Sequence, residues 1–382
     1  MKLDALKKII GNAMTFDVGD GCVRYICEYA TKDSFDDIIT CCAQNGFSVV
    51  QRRSAGENLF ATLRSGDGDA VVSYFNYNHT IFIVTDEIVG RKHPPLEAGT
   101  CESVTAPKLG FLGLHSPEAL NDGSGMGFVF TLCDGSFIIY DGGFLDDGEG
   151  LIEYLEAHNA RDEKPRIAAW ILTHPHGDHY FAMKRVAAKY ADRLIVEDFV
   201  FNVRHTAYEF EQYEGYLAES FASNVFLRFE GAHIVRPHVG QLLCYRDAQI
   251  EILSTQEEIL PSHFRWLNET SMITRVCLGG QSIFMPADSE LGVEVMIPAI
   301  YGDELKSDFI QQAHHAFTGG SYILYDLVRP KVAFWTTNRV KYEKYCNPQY
   351  NNGYNYYLKN MVKENYNHSD GDIILKLPYE VN

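Results

Sequence analysis

The sequence predicts an α/β (α+β) protein, with two packed sheets flanked by helices behind a small α+β module. Three observations carry that expectation. Short strand-like runs separated by turn residues fill much of residues 1–90. A nearly continuous apolar run, "RIAAWILT", marks a strand buried on both faces. Beyond it, strand clusters alternate with helical faces, which is the pattern of layered sheets.

In chain order, "DSFDDIITCCAQNGF" spaces Phe35, Ile38, Ile39 and Cys42 as one helical face, and Asn45-Gly46 supplies a stop. The runs "LFATLR", "AVVSYF" and "TIFIVT" follow, divided by the turn signals "GDGD" and "NYNH". Residues 1–90 therefore read as a small α+β module whose role the sequence leaves open between dimerisation, which would make a homo-oligomer, and ligand sensing. "GRKHPPLEAGT" has two prolines and no periodicity, so residues 91–106 read as a linker. Residues 107–382 form the larger domain. It opens with "GMGFVFTLCDGSFIIYDGG", two strands joined at Cys133-Asp134-Gly135 and ending at Asp141-Gly142-Gly143. "RIAAWILT" runs straight into "HPHGDH", after which Met183, Val186, Ala187 and Tyr190 give a helical face. "AQIEILST", "SMITRVCLGGQSIFMPAD" and "PKVAFWTT" supply further strands.

Composition narrows the function. The 382 residues are 46% hydrophobic and 13% aromatic, enough to bury a sizeable core. The formal net charge is −18, which disfavours strong nucleic-acid binding, because counterion release by basic side chains supplies much of that affinity. A small-molecule substrate is the expected partner. Nine cysteines, scattered and without a CxxC pair, suit reduced thiols in a cytoplasm better than a disulfide framework. No stretch approaches a membrane span, and the N-terminus lacks a leader pattern, so the expected location is cytoplasmic, with no membrane partner.

"ILTHPHGDHYFAM" sets His174, His176, Asp178 and His179 within six positions, at the end of a buried strand and the start of a helix. Imidazole and carboxylate donors together suit zinc, and also manganese or iron. Four donors on so short a loop fit two adjacent ions better than one. A helix dipole also welcomes Asp178 at its N-terminus. The plain alternative, a hydrogen-bonded loop with incidental histidines, is a poor match to so tight a HxHxDH spacing.

"THPHGDH" resembles the signature loop of the metallo-β-lactamase superfamily. "FIIYDGG" is similar to the strand ending in Asp-x-Gly that precedes that loop, and "SIFMPADSE" to the later strand whose terminal Asp bridges two metals. "QQAHHAFTGG" resembles the His-bearing loop that closes the second site. The resemblance covers about residue 107 to the end and implies a four-layer αβ/βα sandwich. "LNETSMITRVCLGGQSIFMPADSE" and "SDGDIILKLP" look most like the branch containing the hydrolase domain of DNA-uptake competence proteins and related phosphodiesterases.

Carried over, the resemblance implies two divalent ions, zinc first. His174 and His176 hold one, Asp178, His179 and His314 the other, with Asp288 bridging and His315 the near alternative to His314. The residue completing the first site is left among His263, Asn268 and Glu269. Asp141 is expected to orient a ligand from behind. His205, His233 and His238 lie outside the motifs and read as structural or surface residues. The implied activity is hydrolysis by a metal-bound hydroxide that Asp178 helps orient, on a small phosphodiester or related phosphoryl substrate. A lactonase or thioesterase acting on carbonyl substrates, or a non-catalytic metal-binding scaffold, are the competing readings. His176 stands where oxygen-reducing di-iron relatives carry Glu, which argues against redox chemistry. Two aromatic-rich stretches, one carrying Tyr208, Tyr213 and Tyr216 and one running from Tyr342 to Met361, either line the cleft or simply pack.

Overall fold

The computed structural model describes residues 10–381 apart from 12, 20, 67, 204–216 and 260–266. Its first part is a six-stranded antiparallel sheet, of β1 (Met14–Gly19), β2 (Cys22–Cys27), β3 (Ser48–Ala55), β4 (Asn58–Ser65), β5 (Gly68–Phe75) and β6 (Thr80–Glu87), ordered β1-β2-β6-β5-β4-β3. Helix α1 (Lys32–Gln44) packs Phe35, Ile38 and Ile39 against one face, and Thr31 with Ser34 forms its capping box. The strands that the sequence pattern did not predict, β1, β2 and β3, include both edges of this sheet. Polar residues such as Gln51, Arg52 and Arg53 stand in β3, where period-2 alternation is weak.

The second part holds two sheets. One has, in space, β13 (His233–Val235), β12 (Asp198–Val200), β10 (Arg166–Ile171), β9 (Phe137–Asp141), β8 (Gly127–Thr131), β7 (Lys108–Phe111) and β21 (Ile373–Lys376), with β11 (Ile195–Val196) beside β10. The other runs β14 (Leu242–Tyr245), β15 (Ala248–Ser254), β16 (Ile273–Leu278), β17 (Gln281–Met285), β18 (Phe309–Gln311), β19 (Val332–Trp335) and β20 (Glu364–Asn367). The inner faces meet through Phe128, Phe130, Ile138 and Tyr140 on one side and Ile250, Val276, Met285 and Phe334 on the other. Outside the first sheet, α3 (Asp147–Ala157) and α4 (Gly177–Tyr190) bury Leu151, Leu155, Met183 and Val186, α2 (Pro117–Asp122) adding Ala119 to that cluster. Outside the second, helices at Ile297–Tyr301, Tyr322–Val328 and Arg339–Tyr345 bury Tyr301, Leu324, Tyr325 and Tyr342. This is the four-layer αβ/βα sandwich that the sequence led us to expect.

The first sheet docks on the outer layer beside the second inner sheet. Phe60 stacks on Tyr301 at 6.5 Å between ring centroids. Gly240, at φ +90°, lies where a Cβ would stand 2.3 Å from the Phe60 ring, so only glycine permits this approach. Arg53 pairs with Glu251, and Gln51 bonds to both Leu96 and Leu242. Between Glu87 and Lys108 the chain forms no helix or strand, yet it is pinned at several points. The Lys92 ammonium meets Asp198, and the Cys244 N–H donates to the Pro95 carbonyl. Cys101 and Cys133 are joined as a disulfide, while the other seven cysteines are free, so one pair departs from the expected preference for reduced thiols over a disulfide framework. No helix among the described residues is long and apolar enough to cross a membrane.

Candidate metal centre

β9 and β10 are parallel neighbours, so Asp141 and the loop after Ile171 leave the sheet at the same edge. Asp141 is wholly buried and sits at φ +55°, a region a short polar side chain tolerates better than most. One carboxylate oxygen accepts the Thr173 N–H at 2.8 Å. The other accepts the Thr173 hydroxyl at 2.8 Å and His179 Nδ1 at 2.7 Å. A proton held on Nδ1 leaves the His179 Nε2 lone pair free, aimed at the centre. Thr173 in turn lies 3.1 Å from His174 Nδ1, which frees His174 Nε2 in the same way. His176 caps α4, and its Nδ1 stands 2.9 Å from His174 Nε2.

The second sheet supplies the facing groups. β17 and β18 are also parallel and end at the same edge. After Met285 the backbone turns through Ala287 at φ +50°, and Asp288 swings into the centre, 2% exposed. Its Oδ2 lies 3.0 Å from His315 Nε2, 3.3 Å from His179 Nε2 and 3.8 Å from His174 Nε2. Its Oδ1 is buried with no hydrogen-bond partner. After β18, His314, His315 and Ala316 take φ of +44°, +50° and +64° in succession. Backbone strain of this kind survives only where the surroundings hold it, and it clusters at functional sites. The turn sends the two adjacent imidazoles in different directions.

His315 is the one that enters the group. Its Nδ1–H donates to the Thr336 carbonyl at 2.7 Å, and its Nε2 faces Asp178 Oδ2 at 3.1 Å as well as Asp288. The sequence expectation ranked His314 ahead of His315, and the geometry reverses that order. His314 instead meets Glu290 at 2.8 Å, Thr318 at 2.6 Å and the Asn268 amide at 2.9 Å. Two sets of donors thus converge, Asp178, His179, Asp288 and His315 in one, and His174, His176 and Asp288 in the other. Asp288 belongs to both.

Of the remaining candidates, Asn268 is buried beside the group, with its Oδ1 unpaired. Glu269 is turned away, its carboxylate accepting the backbone N–H groups of Glu290 and Leu291. It caps the helical stretch after Asp288 and is set apart from the donor group. His263 lies outside the described residues, as do His205, Tyr208, Tyr213 and Tyr216. His233 stands at the surface near Asp198, and His238 sits in a separate buried network.

Electrostatics show what the group lacks. Burial alone would drive His179 toward the neutral form, but Asp288, Asp178 and Asp141 together raise its pKa well above the ordinary value. His315 is likewise pushed up to about 9 against burial, by Asp288 and Asp178. His174, buried and beside His179, is lowered well below the ordinary range. The two carboxylates stay ionised, against the burial that would raise them, only because neighbouring imidazoles carry protons. A divalent cation satisfies the same carboxylates with every imidazole neutral. Nitrogens about 2.0–2.1 Å from one tetrahedral ion stand roughly 3.3 Å apart, close to the spacings here. The unpaired Asp288 Oδ1, the oriented tautomers and the donor chemistry all fit a metal pair.

The centre opens into a cavity of about 280 Å³, walled by Asp122, Ser124, Asn268, Phe317, Lys341 and Tyr345. Asp178 retains 17% side-chain exposure toward it. Sequence reading missed Asp122, Ser124 and Lys341, which come from loops and helix ends with no pattern to mark them. Tyr345 lies in the second aromatic-rich stretch and does reach the cleft.

Residues 125–291 match the family model described as the metallo-beta-lactamase superfamily. That stretch, from Gly125 to Leu291, is where the chain is similar to the superfamily, and it contains His174, His176, Asp178, His179 and Asp288. Among solved structures, it is similar to CmlA, a diiron beta-hydroxylase from Streptomyces venezuelae, at 11% identity and a TM-score of 0.41. That match covers 73% of this chain but only 55% of the hydroxylase, so the chain spans about half of that protein's length. A metallo-beta-lactamase mutant from Cronobacter sakazakii is 12% identical at a TM-score of 0.33, with 66% of this chain and 89% of that one covered. Zn(2+)-bound PqqB from Methylobacterium extorquens is 11% identical at a TM-score of 0.35, with 54% and 72% covered. No curated protein sequence matches the chain.

Proposed function

We propose that this chain is a dinuclear metallohydrolase acting on a small phosphodiester or related phosphoryl substrate. The observation that carries the reading is Asp288, shared by two converging donor sets and left with a buried, unpaired oxygen. In this reading His174, His176 and Asp288 hold one ion, while Asp178, His179, His315 and Asp288 hold the other, with zinc the best match to the donors. When bound, such a pair supplies Lewis acidity and a water acidic enough to ionise near neutral pH.

The chain's own residues do the rest. Asp141 and the Thr336 carbonyl fix the tautomers of His179 and His315. Asp178, kept ionised and facing the cavity, orients the attacking water and accepts its proton. Lys341, which also lines the cavity, meets the negative charge of a phosphoryl group, and the Asn268 amide offers a neutral hydrogen bond. Phe317 and Tyr345 add aromatic surface to the lining. A cavity of about 280 Å³ suits a small substrate rather than a polymer threaded through it.

The test is metal content by elemental analysis of wild type and Asp288→Ala, followed by turnover on a panel of phosphodiesters, lactones and thioesters. The expected result is a drop of about two equivalents per chain from wild type to the variant, and turnover confined to phosphodiesters. Turnover of lactones or thioesters alone would move the assignment to carbonyl hydrolysis. Metal content unaffected by the substitution would refute the shared site.

A further inference from the structure

A second group of metal-type donors lies where the first sheet meets the sandwich. β2 and β6 pair so that Cys22 stands directly opposite Asp86, which places their side chains on one face. Facing them from the sandwich are His238, on the turn before β14, Glu257, just after β15, and Asn202, after β12. Cys22, His238 and Glu257 are all buried. Cys22 Sγ is 3.8 Å from Glu257 Oε1, and His238 Nδ1 is 3.0 Å from both Glu257 oxygens. On its other side, His238 Nε2 meets Asp86 Oδ2 at 3.1 Å, and Asn202 Nδ2 donates to Glu257 at 2.9 Å.

We propose that Cys22, His238 and Glu257 form a separate metal site that clips the N-terminal sheet to the metallo-beta-lactamase domain. A thiolate about 2.3 Å and a nitrogen or oxygen about 2.0–2.1 Å from zinc stand roughly 3.5 Å apart, so the three donors already approximate one ion's corner. Asp86 plays the part a carboxylate plays behind a ligating histidine. It holds a proton on Nε2, so Nδ1 presents its lone pair to Glu257 and Cys22. Asn202 orients Glu257 in the same manner.

Charge favours the exchange. Without metal, Glu257 and Asp86 favour the protonated form of His238 against burial, and burial favours the neutral thiol at Cys22. Binding one divalent ion releases the thiol proton and the imidazolium Nδ1 proton. Two positive charges enter and two leave, so the buried net charge is unchanged. Arg91 and Arg236 continue to balance Asp86. The Arg236 guanidinium beside Cys22 favours the thiolate, against the burial that disfavours it. Because the ligands come from both parts, the ion's binding free energy becomes interface stability.

The site is tested with cobalt(II) loaded into chelator-stripped wild-type protein. A thiolate ligand gives a near-ultraviolet charge-transfer band, and among the described residues no cysteine stands in the Asp288 centre, so the band separates this site from that one. The expected result is a band in wild type that survives Asp288→Ala and Cys244→Ala and vanishes in Cys22→Ala. No band in wild type, or a band that persists in Cys22→Ala, would overturn the proposal. If Cys22→Ala does not fold, X-ray absorption at the zinc edge of wild type decides. Sulfur in the coordination shell supports the site, and a shell of nitrogen and oxygen alone refutes it. Because Asp288→Ala empties only the other centre, failure here and failure of the hydrolase reading are separate outcomes.

Discussion

Replacing Asp141 by Asn isolates the orienting role from the packing role. Asn is nearly the same size and accepts the φ of +55° that Asp141 adopts, so the backbone has no reason to move. Oδ1 can still accept the Thr173 N–H at 2.8 Å. The other oxygen becomes an NH2 donor facing His179 Nδ1 at 2.7 Å and the Thr173 hydroxyl at 2.8 Å. His179 must then accept at Nδ1 and carry its proton on Nε2, the atom aimed at Asp288. The Thr173 hydroxyl loses its acceptor and with it the fixed tautomer of His174. Loss of an outer carboxylate of this kind lowers metal affinity by about 10- to 100-fold, or roughly 1.4–2.8 kcal/mol. The assay is zinc affinity by competition with a chromophoric chelator, alongside circular dichroism to show that the fold is retained. A folded Asp141→Asn protein that binds zinc as tightly as wild type would refute the claim that Asp141 sets these tautomers.

The two adjacent histidines separate by the same measurement. His315→Ala should lose metal at the centre, whereas His314→Ala should keep wild-type stoichiometry under elemental analysis. In the core, Phe334 touches Phe111, Phe128, Phe309 and Tyr366 at centroid distances of 5.3 to 6.3 Å. Phe334→Ala should cost about 3–5 kcal/mol in denaturant unfolding, from lost burial and the cavity left behind. His368 is fully buried, and burial together with His315 lowers its pKa from 6.5 to about 3. The unfolded chain therefore binds a proton that the folded chain refuses, and stability falls as pH drops below the unfolded value. From about pH 7 to about pH 5 this amounts to roughly 2 kcal/mol. His368→Gln should flatten that part of the pH–stability curve, and an unchanged slope would show that other groups govern it.

Sequence alone determined much here because much of the chemistry is local. His174, His176, Asp178 and His179 occupy one strand end and one helix start, so the spacing of the motif already encodes their convergence. The buried run before them, apolar from Ile167 to Leu172, marked a strand covered on both faces, and from that the layered architecture followed. The edge strands β1 and β3 escaped notice because an edge has less to bury and tolerates polar residues such as Arg52 and Arg53. The choice between His314 and His315 was not legible either. Neighbouring residues differ in direction only through φ and ψ, and three consecutive left-handed residues leave no signature in an Ala-His-His-Ala string. Lys341, Asn268 and Tyr345 meet at one cavity from segments far apart in the chain. Cys22 and His238 looked like an isolated cysteine and an isolated histidine, since 216 positions separate them. Only the docking of the first sheet on the sandwich, through Phe60 over Gly240, brought them to one place, and such long-range proximity is a property of packing rather than of any local pattern.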